Sequence, residues 1–576
     1  MRGVYIDRGR TTQPPIHRHT MSTEMEEHKD MKIADTAHIE VAQDHLDPEA
    51  ISRMHRHGAK GVMDEAARIL QEAGGHVEYT PDERRRLLRR IDIYVCIPMC
   101  LTYFIQQMDK SALGWAATFD LRETTHLHGQ QYSWLGSVGY FAQLVCQPLS
   151  SYALIVFPVK YWVVFNMVSW GIVTICTATA KNFTGLLICR ILLGGFEATI
   201  LPSFVFITQM WYTRREQSYR NISYQIANSC AAIIGPLVSF GIGHVGTKHN
   251  STLFAWQGIY LFMGAFTLVI APIVYYLLPN SPATAKFLDR GQDRLIALER
   301  LRENNTGTKV KKFNWAQFRE TMRDPKTWMW CVMFFCCSCP SGGIGTFGGL
   351  ITKGFGFNSF VSVVMQVPTG VIGIIFIVTN IWVQNHFKIR FAFIAAMTIP
   401  AIAGAVALIK VDRHKPGSLL AAYYICFVYS CLQPLLYAWA NLNAGGTTKR
   451  VVTTATLFVA QCVGNIVGPQ VYLARESPVY RTGLIVDIGC WAVLCCTVLT
   501  MGWYLTHLNR KQRQRRIDMG LPGDLKDMSI MTLEEADAYR RELSEQLRAA
   551  GFDRDLYENA FEDLTDFENP LFMYVR

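Results

Sequence analysis

Apolar residues fill two long blocks of the chain. Short polar breaks cut each block into six runs of about 20 residues, the length an α-helix needs to cross a hydrocarbon core. The predicted spans are 91–108, 132–154, 161–180, 183–209, 219–244 and 255–278 in the first block. In the second they are 327–350, 359–383, 391–410, 419–440, 452–473 and 482–507. We number them spans 1 to 12. The expected fold class is an all-α membrane protein, twelve transmembrane helices in two six-helix pseudo-repeats. Polar stretches separate the blocks. Residues 1–90 read as a largely disordered cytosolic tail with a short amphipathic helix at 62–72, 91–279 as the N-terminal half and 280–326 as a cytosolic central loop with a helical pattern near 287–302. Residues 327–508 form the C-terminal half, and 509–576 a second cytosolic tail that starts basic and turns acidic.

Charge fixes the expected orientation. Half of the 576 residues are hydrophobic and the net charge is +10. In so apolar a chain the excess reads as loops beside anionic lipid, not as nucleic-acid binding. Lys and Arg collect at one side: Arg84 to Arg90, Lys160, Arg214, Arg215, Arg220, Lys388, Arg390, Lys449, Arg450, the central loop, and the run 510–516. The loops after odd-numbered spans carry fewer, so both termini are expected in the cytosol. No secretory signal opens the chain, and no Gly-x-x-x-x-Gly-Lys-Ser/Thr loop suggests ATP as a driving force. All 16 Cys fall in apolar runs, which argues against a disulfide framework. Cys331, Cys336, Cys337 and Cys339 of span 7 read as packing, and no metal or cofactor is expected.

The blocks echo each other. Span 5 carries Gly235-Pro236 and span 11, six spans later, carries Gly468-Pro469, each preceded by a basic cluster. A Gly-Pro pair in a helix is either a packing kink or a gating hinge. Its recurrence supports a transporter built from two halves that rock about a midplane site.

The chemistry concentrates in 189–202 of span 4, Cys-Arg-Ile-Leu-Leu-Gly-Gly-Phe-Glu-Ala-Thr-Ile-Leu-Pro. Arg190 and Glu197 are seven residues apart, two helical turns, and so share a face about 10 Å apart, with Gly194 between them. A charge at mid-membrane costs about 3 kcal/mol on insertion scales. Two on one stripe therefore face a partner or a watery cavity, as a proton-coupled transporter requires. The plainer alternative is a structural ion pair locking span 4 to a neighbour.

In this order along the chain, several short motifs form a specific pattern: Met-Asp109-Lys110-Ser-Ala-Leu-Gly114, Gln-Gln-Tyr132-Ser-Trp-Leu-Gly136, Arg190-Ile-Leu-Leu-Gly194-Gly-Phe-Glu197 with Pro202, Trp211-Tyr-Thr-Arg-Arg-Glu216, Asp324-Pro-Lys-Thr-Trp328, Asn443-Ala-Gly-Gly-Thr-Thr-Lys449-Arg450, and Gly464-Asn-Ile-Val-Gly468-Pro469. From residue 91 onward the chain resembles the fungal anion:cation symporter group of the major facilitator superfamily, near the allantoate permeases. The resemblance implies proton-driven uptake of a small organic anion of the allantoate or ureidosuccinate, vitamin carboxylate or dipeptide class. It implies that Glu197 and Asp109 carry protons and that Arg190 and Lys110 bind the anion. It departs from relatives at Ala112 or Trp115, where many have Asn, and in the short loop 157–160.

Other candidates are weaker. Asp109 and Lys110, placed at the outer end of span 1, could equally be interfacial residues reaching for water. Tyr437 and Asn441 of span 10 suit a polar organic substrate, or an interfacial aromatic belt. Gln225 of span 5 could bind substrate or bridge helices. Gly235, Pro236, Gly468 and Pro469 are the gating candidates. The expected protein is no enzyme: a monomeric multi-pass carrier of the plasma membrane, its partners the bilayer, protons and a small organic anion. The rival readings are a non-transporting sensor of the same shape and a uniporter or exporter without proton coupling.

Overall fold

The computed structural model describes residues 79–246, 253–288, 292–302, 313–387, 390–519, 539, 564–570 and 572–576. The segment 62–72 and Lys388 lie outside them. All regular elements among the described residues are helical. Eleven helices there are long and apolar enough to cross a membrane. The twelfth spanning helix, Gln131–Val156, is 26 residues long but diluted by polar positions. Large apolar side chains such as Leu149, Val269, Tyr276 and Trp503 point outward, as lipid-facing residues do.

Each expected span is present, several of them longer than the apolar run suggested. Span 1 runs Pro81–Ile91, a π-turn Asp92–Cys96, then Ile97–Thr118. Its start is a capping box, Thr80 with Glu83, followed by Pro81 at the first turn. Spans 2 and 3 are Gln131–Val156 and Val159–Thr177. Span 4 is Phe183–Glu197 and Ile200–Trp211; spans 5 and 6 are Arg214–Gly246 and Ala255–Leu277. Spans 7, 8 and 9 are Pro325–Lys353, Val367–Phe387 and Arg390–Lys410, with a short helix Ser359–Val364 before span 8. Span 10 is Pro416–Cys426, a 3-10 turn Phe427–Cys431 and Leu432–Leu442; spans 11 and 12 are Thr447–Gln470 and Arg481–Asp518. The central segment holds the helix Asp293–Arg302, where a helical pattern is legible, and a second helix, Trp315–Arg323, which the reading missed.

Three helix irregularities share one cause. Proline lacks an N–H and its ring crowds the carbonyl four residues upstream. Pro98, Pro202 and Pro434 place that carbonyl at Tyr94, Ala198 and Ser430. These lie in the π-turn of span 1, the break at 198–199 of span 4 and the 3-10 turn of span 10. Span 4 thus breaks immediately after Glu197.

The two halves repeat one packing scheme. Span 1 packs on span 5 and span 3 on span 6; six spans later, span 7 packs on span 11 and span 9 on span 12. Span 2 meets span 11, span 5 meets span 8, and span 1 meets span 7, the pairings a two-fold relation between halves demands. The halves are tied at the end carrying the odd-numbered loops. Tyr132 Oη donates to the Thr346 carbonyl at 2.7 Å, Ser137 to the Ile466 carbonyl at 2.7 Å, and Gln470 to Ser137 at 3.0 Å. Lys353 pairs with Asp120 at 2.9 Å, and Phe119 meets Phe360 edge-on.

At the opposite, even-loop end each half is tied within itself. Under the N-terminal half, fully buried Arg300 donates to the Trp211 carbonyl at 2.8 Å and pairs with Glu216, which also takes Arg84. Arg220 pairs with Asp92, and Arg90 with Asp293 of the central helix.

Candidate functional site

The site grows from spans 1 and 4. The expectation that Asp109 and Lys110 end span 1 is corrected: the helix continues to Thr118, so both lie within the span. The apolar run stops at Met108 only because the charges begin there. Span 6 supplies the polar surroundings that let the helix continue. Asp109, buried, accepts from Thr267 at 3.4 Å, and the indole of Trp170 in span 3 faces it. Lys110, partly exposed, places its ammonium 3.9 Å from a Glu197 carboxylate oxygen. The other oxygen of Glu197 is buried without a hydrogen-bond partner, and Gln106 donates to the Glu197 carbonyl at the helix break.

Arg190 and Glu197 share a face of span 4 but do not pair with each other. Arg190 donates to Tyr260 Oη of span 6 at 2.7 Å and lies over that ring at 5.8 Å. Among the described residues Arg190 makes no salt bridge, but the Asp109 and Glu197 carboxylates lie within electrostatic reach of its guanidinium. Tyr260 and Thr267 were missed by sequence reasoning. They are two turns apart in an apolar span, the same spacing that singled out Arg190 and Glu197, and that signal would have found them. Tyr260→Phe would leave a charged donor unpaired, and a hydrogen bond to a charged group is worth about 1.5–3 kcal/mol. We expect a lower unfolding midpoint for this variant in detergent, followed by tryptophan fluorescence. A midpoint equal to wild type would mean that the bond carries no stability.

The cluster lies where the halves meet. Tyr140 of span 2 is within electrostatic reach of both Arg190 and Glu197, and Cys462 of span 11 within reach of Lys110. Tyr437 of span 10 approaches Tyr103 of span 1, and its hydroxyl donates to Gln461 at 2.6 Å. Gln225 is half-buried on span 5. Asn441 is exposed and accepts from Thr454 at 3.2 Å; no contact brings it to Arg190 or Glu197. The Gly-Pro pairs mark close helix crossings inside each half. Gly235 abuts the Trp115 ring of span 1, and Gly468 abuts the Cys339 carbonyl of span 7. Gly194 lies directly on the Gly139 backbone of span 2. Among the described residues no group of His, Cys, Asp and Glu is arranged to hold a metal ion.

A family model described as Major Facilitator Superfamily matches residues 99–469. The chain belongs to the Major Facilitator Superfamily. Like the members it resembles, this superfamily protein is a multi-pass membrane transporter of small molecules and not an enzyme. It is similar to an uncharacterised transporter of Schizosaccharomyces pombe, 33% identical over 83% of this chain and 90% of that protein. An allantoate permease of Saccharomyces cerevisiae is 25% identical, covering 89% of this chain and 90% of its own length. A thiamine pathway transporter of the same yeast is 28% identical, with 85% and 86% covered. These relatives agree with the resemblance to the fungal anion:cation symporter group. Among solved structures, an inward-facing, occupied bacterial homologue of the human lysosomal transporter Spinster superposes with TM-score 0.55 at 13% identity, covering 72% of this chain and 96% of its own. A D-xylose–proton symporter does so at TM-score 0.52 and 12% identity, covering 71% and 96%. Identities so low speak to the shared fold alone.

Proposed function

We propose that this protein imports a small organic anion by proton symport across the plasma membrane, as a monomer with both termini in the cytosol. The observation that carries the reading is the cluster of two buried carboxylates, Asp109 and Glu197, with buried Arg190 and the partly exposed Lys110, on spans 1 and 4. In this reading Arg190 and Lys110 receive the anion. Substrate arriving at Lys110 competes with Glu197 for that ammonium, which favours the protonated form of Glu197, so anion and proton load together. Asp109 is the second proton-carrying candidate, with Tyr437 and Gln225 lining the path on the facing spans. With basic loops in the cytosol, contact between the halves at the odd-loop end makes this the inward-facing state. The alternating step closes the even-loop end, with the Gly235-Pro236 and Gly468-Pro469 crossings as its pivots. The allantoate permease among the relatives supports a ureide or carboxylate substrate class.

The test is proteoliposomes holding the purified protein, an imposed inward proton gradient, and labelled small carboxylates, ureides, vitamins and dipeptides offered singly and in competition. Uphill accumulation of one of them, abolished by a protonophore, is expected. Binding without accumulation would identify a sensor. Gradient-independent equilibration would identify a uniporter.

A further inference from the structure

Residues 564–570 and 572–576, in the tail that turns acidic, are seated against the even-loop end of the C-terminal half. Asp566 is fully buried. One carboxylate oxygen takes Lys449 at 2.8 Å and the other takes Lys326, together with Tyr574 Oη at 2.8 Å. The Gly445 N–H, between spans 10 and 11, donates to the same carboxylate at 3.4 Å. Phe567 and Tyr574 lay their rings over the two ammoniums, at 4.1 to 4.7 Å. The Val575 backbone pairs in both directions with Asn443 and accepts from Trp439 Nε1 at 2.7 Å. The Tyr574 N–H donates to Asn509 Oδ1 and its carbonyl accepts from Asn509 Nδ2, while Gln512, Arg515 and Arg516 donate to the carbonyls of Asp566, Phe567 and Pro570. The Arg390 N–H donates to the Arg576 carbonyl at 2.8 Å.

One short segment thus bonds spans 7, 9, 10, 11 and 12. Spans that only pack side by side can slide; spans bonded to a common strut at their ends cannot. The segment also adds a buried carboxylate to the ionic arrangement there. Asp324 also spans both lysines and Glu320 takes Lys449; Asp566 is the second carboxylate to bridge the pair, and the one that ties them to the tail. The N-terminal half has a counterpart of opposite sign in the central helix, whose Arg300 plugs into Glu216 and the Trp211 carbonyl.

We propose that 564–576 is a clamp that makes the C-terminal half one moving body, and that Asp566 is its positioning residue, acting through Lys326 and Lys449. The role in transport rests on the proposed rocking of the halves. The charges allow the clamp to work throughout the physiological range. Burial pushes the Asp566 carboxyl up, but Lys326 and Lys449 outweigh it and hold it below the ordinary range. Its contribution is therefore complete above the unfolded value of about 3.9 and is lost only as pH falls through the lower folded value. The facing groups Asp324, Glu320, Lys326, Lys449, Tyr504 and Tyr574 share this seat.

Hydrogen exchange on the full-length protein in proteoliposomes, read by mass spectrometry, tests the clamp without any substrate. Asp566→Asn removes the charge. Gly445→Val leaves every charge in place but drives a side chain into the Asp566 backbone. Both should speed exchange at 439–450 about tenfold or more, with 211–220 in the other half unchanged. Asp566→Glu should keep most of the protection. A synthetic peptide of residues 564–576 should restore it to a protein lacking that segment. In gradient-driven uptake, Asp566→Asn should lower Vmax about tenfold at an unchanged KM. Wild-type exchange in both point variants would overturn the clamp. Lost protection with undiminished Vmax, or a raised KM at unchanged Vmax, would overturn its role as a positioning device. If the wild type carries none of the compounds offered, the proposed substrate class falls, while the exchange measurements still decide the clamp.

Discussion

Glu197→Gln is expected to abolish uphill uptake while sparing exchange. For one proton per monoanion, a gradient of about one pH unit sustains roughly tenfold accumulation, because tenfold corresponds to about 1.4 kcal/mol. Glutamine keeps the size of the side chain and an oxygen for Lys110, but it cannot take up and release a proton. The fold should survive, since Lys110 is partly exposed and water can replace its lost carboxylate partner. Accumulation should therefore fall to the equilibrium ratio, while counterflow of labelled against unlabelled substrate continues. Undiminished uphill uptake would remove Glu197 from the proton pathway and leave Asp109 as the remaining candidate. Loss of both accumulation and counterflow would instead mark Glu197 as part of the substrate seat.

Gly194→Val should be the most damaging single change to the fold. A Cβ at Gly194 would meet the Gly139 carbonyl oxygen, with Gly139 Cα at 2.8 Å. These are backbone atoms of span 2, so no rotamer change relieves the overlap, and spans 2 and 4 must separate. Overpacking a well-filled interior ordinarily costs about 1–3 kcal/mol, and a clash against backbone belongs at or above the top of that range. Small residues at helix crossings in membranes serve this close approach. We expect little monodisperse protein by size-exclusion chromatography of solubilised membranes. Gly241→Ala is the control, because nothing lies within 4 Å of its Cβ position. If Gly194→Val elutes like wild type, the crossing tolerates separation and the two spans are not locked there.

The spans were legible because each needs about 20 apolar residues whatever it packs against, and the Gly-Pro repeat was legible because both halves carry it in register. The errors in the site come from that same criterion. Hydropathy ends span 1 at Met108, since it counts Asp109 and Lys110 as polar wherever they stand. Their burial depends on Thr267, Trp170 and Glu197, which lie 61 to 158 residues away in the chain. The spacing of Arg190 and Glu197 placed them on one face of span 4, as the helix geometry requires, but it could not name their partners. Those are Tyr260 for one and Lys110 for the other, each on a different span.

The sequence by itself determined the class of molecule, its twelve crossings, its two-fold internal repeat and the stripe of buried charge on span 4. These follow from periodicity and from the cost of placing polar groups in hydrocarbon, both local properties of a helix. The tertiary structure alone decided which charges meet, that the halves are joined at the odd-loop end, and that segment 564–576 is built into the C-terminal half. Asp566 reaches Lys326 across 240 residues of chain. No local pattern encodes that pairing, because it exists only once the spans have come together and left two lysines without enough water to stand alone.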